Sequence, residues 1–125
     1  MLEMFRNAWN AETAHPAYRD KWSPNNPSAG QCAVTALIVQ EILGGDIYSC
    51  KVGHASHFVN IVNGKIFDLT ADQFGGVDNI KYVNNSFKLK SRKSLLQNKD
   101  VRIRYELLKL RLSTETNFAL IAQER

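Results

Sequence analysis

Cysteine is scarce in this sequence, with two in 125 residues, and that excludes a small fold stapled by disulfides. In a reducing compartment thiols persist as thiols, so no bridge between Cys32 and Cys50 is expected and each needs its own explanation. Long apolar runs are also lacking. No segment approaches the roughly 20 residues that span a bilayer, and Glu3 and Arg6 interrupt the N-terminus where a secretory leader would be unbroken. The expectation is a cytoplasmic protein with no membrane partner. Glycine-rich phosphate loops, RNA-binding aromatic motifs and paired Cys-x-x-Cys or His-x-x-x-His spacings are missing too, so neither a cofactor nor a metal is called for. Cys32, Cys50, His54 and His57 lack the spacing of a zinc site.

Charge of one sign is modest. The net charge is +4, concentrated in Lys81, Lys88, Lys90, Arg92, Lys93 and the last helix. Such a stretch reads as a solvated face, because nothing that recognises bases accompanies it; a basic nucleic-acid adaptor is the weaker alternative. Apolar residues make up 44% of the chain, enough for one core in a single domain over residues 1–125.

Leu2, Phe5 and Trp9 recur at helical spacing, which predicts an amphipathic helix over residues 2–12. From Thr13 to Gly30 three prolines and several asparagines forbid regular structure, and Tyr18 and Trp22 give this long loop apolar anchors. Ser28-Ala-Gly-Gln31 fits a capping box, so a helix begins here. Between Cys32 and Leu43 only Thr35, Gln40 and Glu41 are polar, the composition of a buried central helix, and Gly44-Gly45 ends it. The period then changes to two over Asp46–Val52. Ser56–Val62 and Lys65–Thr70 follow, joined by Asn63-Gly64, the strongest short-range hairpin signal. Residues 71–90 read as an edge strand or a loop. Ser94–Asn98 predicts one helical turn, and Asp100 caps a longer helix with Val101, Tyr105, Leu108 and Leu112 as its apolar stripe. The fold class is α+β: an N-terminal helix, a buried central helix with cysteine at its start, an antiparallel meander of three to four strands, and C-terminal helices.

A two-residue turn at Asn63-Gly64 fixes the register, with Val59 opposite Asp68 and His57 opposite Thr70. His57 and Asp68 then become diagonal neighbours about 7 Å apart on one face. Val59, Ile61 and Ile66 make that face the inner one, to be covered by the helix that starts near Cys32. A cysteine in the first turn of a helix lies near unpaired amides and the positive end of the dipole, which favour thiolate. Cys32 is therefore the expected nucleophile, His57 its base and Asp68 the carboxylate that holds the ring. The Cys32 amide and a side-chain amide of Gln31 or Asn26 are the candidate oxyanion donors, and Trp22 is expected beside the substrate. Taken alone, a cysteine in an apolar helix is a packing residue; burying a histidine and an aspartate together beside it is what favours a site. Cys50, without a polar partner in the pattern, reads as core. His15 and His54 read as solvated loop residues.

Trp22-Ser-Pro-Asn-Asn-Pro-Ser-Ala-Gly-Gln-Cys-Ala-Val-Thr-Ala-Leu37, then Gly44-Gly45, Ser56-His57, Asn60, Asp68-Leu-Thr70 and Gln73-Phe74 resemble the YunG-like family of small bacterial proteins. The order cysteine, histidine, acid also resembles the broader papain, NlpC/P60 and transglutaminase-like group. That resemblance implies a papain-like core and acyl chemistry on an amide, ester or thioester, with a small acyl or peptide-like substrate. A binding module that keeps such a fold without turnover is the competing reading. Nothing in the pattern speaks to oligomeric state.

Overall fold

A computed structural model describes residues 1–114 of the chain. Its first element, α1 (Leu2–Ala8), is shorter than the periodicity predicts. Trp9 turns extended, and Asn10 and Thr13 then bond each other reciprocally: the Asn10 amide donates to Thr13 Oγ1 and the Thr13 amide to Asn10 Oδ1, both at 2.9 Å. Short polar side chains that satisfy neighbouring backbone groups compete with the helix, and here they end it. The Trp9 indole N–H donates to Thr35 Oγ1 at 2.9 Å inside the core, so two buried polar groups satisfy each other.

The loop that follows contains a 3₁₀ helix, Pro16–Lys21, and leads into α2 (Cys32–Leu43). The expected capping box does not form. Gln31 is itself the N-cap residue, its amide is drawn off to the Asn10 carbonyl at 2.9 Å, and Ser28 Oγ is buried without a partner. Eight residues of α2 are buried, as its nearly all-apolar circumference requires.

Strands β1 (Asp46–Val52), β2 (Ala55–Val62), β3 (Lys65–Phe67) and β4 (Lys88–Lys90) form one antiparallel sheet in the order β3-β2-β1-β4. The β2–β3 register is the predicted one, with Val62 opposite Lys65 and Ile61 opposite Ile66. Asn63 and Gly64 both take positive φ, 52° and 78°, as a two-residue turn that follows the strand twist demands.

The sheet buries both faces near the site, and here the expected face assignment is corrected. Ile47 and Asn60, paired across β1 and β2, look toward α2: Ile47 belongs to the main core, and Asn60 Nδ2 donates to the Ala36 carbonyl at 2.9 Å. Cys50, His57 and Val59 lie on the other face by alternation. That side is covered by the segment after β3, where Tyr82 bridges to Val52 and its ring stacks on His57. Ile66, expected inside, is 45% exposed on the short edge strand.

Two C-terminal helices, α3 (Arg92–Gln97) and α4 (Lys99–Ser113), close the other side of α2. The cap of α4 is Asn98, whose Oδ1 accepts from the Val101 amide at 3.1 Å, rather than Asp100. Val101, Tyr105, Leu108 and Leu112 are buried as the stripe predicts. Asp100 instead pairs with the buried Arg104 at 2.8 Å, and Arg104 Nη1 donates to the Thr13 carbonyl at 3.1 Å, tying α4 to the loop before α2.

Candidate functional site

The site is built where α2 begins. Cys32, its first residue, is partly exposed and lines a cavity of about 430 Å³ together with Tyr18, Ala33, Phe58, Gln73 and Phe74. At this position its amide is one of the first-turn N–H groups that no helical carbonyl can reach. His15, His54 and Arg104 also border the cavity, so the two loop histidines stand at its edge rather than apart from it.

His57 is fully buried. Its Nε2 donates to Asp68 Oδ2 at 2.8 Å, although β3 stops at Phe67 instead of Thr70 and the ladder ends at the Asn60–Phe67 pair, short of the expected pairings of Val59 with Asp68 and His57 with Thr70. Asp68 lies just past β3 and is held by more than the ring. The Tyr82 hydroxyl donates to Oδ2 at 2.6 Å, and the Thr70 amide and hydroxyl donate to Oδ1 at 3.3 and 3.4 Å. All four contacts are donors to its two oxygens, so the side chain serves here purely as an acceptor. With Nε2 committed to Asp68, Nδ1 is the nitrogen left for the sulfur; it is buried and makes no hydrogen bond of full geometry.

Electrostatics tie the three side chains together. Burial works against a charged imidazole. The hydrogen bond to Asp68, reinforced by the nearby Cys32 sulfur, outweighs it, and the His57 pKa is pushed up to about 9. The Phe74 edge meets the ring at a centroid distance of 5.0 Å, while Tyr82 lies nearly parallel to it at 6.5 Å. Burial and then the hydrogen bond to Asp68 push the Tyr82 phenol up, so it remains a donor. Cys50 is directly opposite His57 on β1 and 3% exposed. Burial, followed by the charges of Asp68 and Cys32, pushes its thiol up to about 11. A buried thiol held in this way stays protonated at neutral pH and is a poor nucleophile.

The other residues expected at the site are placed elsewhere. The Trp22 indole donates to the Pro27 carbonyl at 3.0 Å and Asn26 Nδ2 to the Lys21 carbonyl at 3.1 Å, so both side chains brace the loop from within. Gln31 is buried beneath it on Asn10. None of the three lines the cavity. Gln73 does, from a 3₁₀ turn over Ala71–Phe74. Its Oε1 accepts from the Gly30 amide at 3.2 Å, whereas Nε2 is buried without a partner, a state that ordinarily costs about 1–3 kcal/mol. Gly30 takes φ +72°, and a Cβ there would stand 2.9 Å from the His15 nitrogen, so only glycine allows this approach. The one sequence signal for Gln73 is its place in the Gln73-Phe74 motif of the family resemblance; Tyr82 carries none.

Among the described residues, no group of three or more His, Cys, Asp or Glu side chains could hold a metal ion. No helix among them is long and apolar enough to cross a membrane.

The profile of the YunG protein family matches residues 1–117. The uncharacterized protein YunG of Bacillus subtilis (strain 168) is 37% identical over 71 residues, which cover 57% of this chain and 57% of that protein. The chain thus covers little more than half of that relative's length. No solved structure matches.

Proposed function

The chain belongs to the YunG family, and we propose that it is a thiol enzyme of papain-like type, acting on a small amide, ester or thioester through Cys32, His57 and Asp68. One observation carries the reading: a fully buried imidazole held by a buried carboxylate at 2.8 Å and near enough to Cys32, a partly exposed thiol that opens on a cavity, for that thiol to raise the ring's pKa. Burying both partners of an ion pair is expensive, and a site is a common reason to keep one.

In this reaction the Cys32 thiolate attacks the acyl carbon, and an S–C bond forms. His57, charged near neutral pH, gives its Nδ1 proton to the leaving amine, alkoxide or thiolate as that bond breaks, and a thioester remains. A water then gives a proton to the neutral ring while its oxygen attacks the thioester, and the sulfur leaves. Asp68 keeps the ring in the tautomer that presents Nδ1 throughout.

The test is intact-mass analysis after incubation with p-nitrophenyl phenylacetate, followed by peptide mapping. A single phenylacetyl group on Cys32 is expected, lost in Cys32→Ala and formed at least tenfold more slowly in His57→Gln. The absence of both an adduct and Cys32-dependent release of p-nitrophenol, or labelling spread equally over Cys32 and Cys50, would leave a binding module that keeps the fold without turnover.

A further inference from the structure

Resting on that reading, the least explained polar group in the cavity is the Gln73 amide. Its orientation is fixed by chemistry: a backbone N–H needs an acceptor, so the atom 3.2 Å from the Gly30 nitrogen is oxygen, and Nε2 is the other end. That Nε2 is buried, without a partner, on a side chain that lines the same cavity as Cys32. The Gly30 anchor is two residues from the nucleophile, so the loop that presents the thiol also positions the amide. Gln73 Nε2, a donor without an acceptor among the described residues, and the first-turn amide of Cys32, whose side chain lines the same cavity, form the constellation that a developing oxyanion requires.

We infer that Gln73 Nε2 binds the carbonyl oxygen of the acyl substrate and, with the Cys32 amide, holds the oxyanion when sulfur attacks. The cavity wall around it, Tyr18, Ala33, Phe58 and Phe74, is apolar and largely aromatic. His15, His54 and Arg104 stand at the cavity's border, so the acyl group it accepts is apolar or aromatic, with any polar portion of the substrate toward that edge. Nε2 donates and takes no proton away, so the balance of the acyl transfer is unchanged.

The experiment compares two reactions at the same sulfur. Acylation by p-nitrophenyl phenylacetate builds an oxyanion; alkylation by iodoacetamide displaces iodide at a tetrahedral carbon and builds none. Gln73→Ala is expected to slow acylation of Cys32 by about 10²–10³-fold and to change its alkylation by less than about threefold. Wild-type protein is also expected to acylate faster with the phenylacetyl ester than with the acetyl ester. Equal slowing of both reactions makes Gln73 a structural brace and overturns the inference, as does unchanged acylation. Should the alanine variant fail to fold, phenylacetaldehyde added to the wild-type protein decides. Its hemithioacetal with Cys32 is expected to shift the Gln73 side-chain amide protons downfield, and unmoved resonances reject the role. If wild-type Cys32 forms neither adduct, the enzyme reading itself fails; if it forms both and Gln73→Ala acylates normally, only the role of Gln73 does.

Discussion

Replacing Asp68 by asparagine is expected to slow acyl turnover at Cys32 by about 10³-fold while leaving the fold intact. The two side chains have the same shape, so the turn after β3 is not sterically disturbed. What changes is charge and polarity at the oxygen that accepts from His57 Nε2 at 2.8 Å and from Tyr82 at 2.6 Å. An amide oxygen kept on Thr70 turns the NH₂ toward the His57 and Tyr82 donors, and one kept on His57 and Tyr82 turns it toward the Thr70 amide. Without the anion, only Cys32 still opposes burial, the largest influence on the ring, and the neutral form is favoured more. The imidazole then loses both the proton it gives to the leaving group and the partner that fixes its tautomer. In serine triads the same replacement lowers kcat by about 10⁴; a thiol is a better nucleophile on its own, so a somewhat smaller loss is expected here. Steady-state hydrolysis of p-nitrophenyl phenylacetate, with circular dichroism as the control for folding, measures it. A loss below threefold in a folded variant would remove Asp68 from the machinery.

Leu37→Ala is expected to destabilise the protein by about 3–5 kcal/mol. Leu37 is fully buried in the middle of α2, the helix that packs on the sheet on one side and on α4 on the other. A helix clamped on both sides cannot shift to fill the void without giving up contacts elsewhere, so the cavity persists and adds to the lost transfer free energy. Domains of this size have about 5–15 kcal/mol in hand, and one core truncation consumes much of it. Guanidinium denaturation monitored at Trp9, itself buried against Thr35, reads the change. A loss below 1 kcal/mol would mean that α2 is not the centre of the core.

Short-range chemistry was what the sequence expressed best. Asn63-Gly64 has one dominant conformational solution, and it fixes the strand register and with it the approach of His57 to Asp68. The apolar run from Cys32 to Leu43 has one stable environment, the interior. Legibility failed where side chains chose among partners far along the chain. Ser28 and Gln31 have the spacing of a capping box, yet Asn10, 21 residues earlier, takes the Gln31 amide. Alternation along β2 separates two faces but does not name the one that receives α2, because both carry apolar residues. The covering segment that contains Tyr82 has little periodicity, so nothing local reveals that it closes over His57. Gln73 reaches the Cys32 loop across 43 positions, through a contact to Gly30 that no spacing rule anticipates.

The most direct measurement is the pH titration of the His57 ring nitrogens by ¹⁵N NMR, in the wild-type protein and in Cys32→Ser. The folded ring binds its proton more tightly than an unperturbed histidine, so it should remain charged through neutral pH and lose the proton only as pH rises through about 9. Replacing the sulfur should lower that midpoint, because Cys32 contributes to it. A ring that titrates near 6.5, unmoved by Cys32→Ser, would show that thiol, imidazole and carboxylate do not act as one unit.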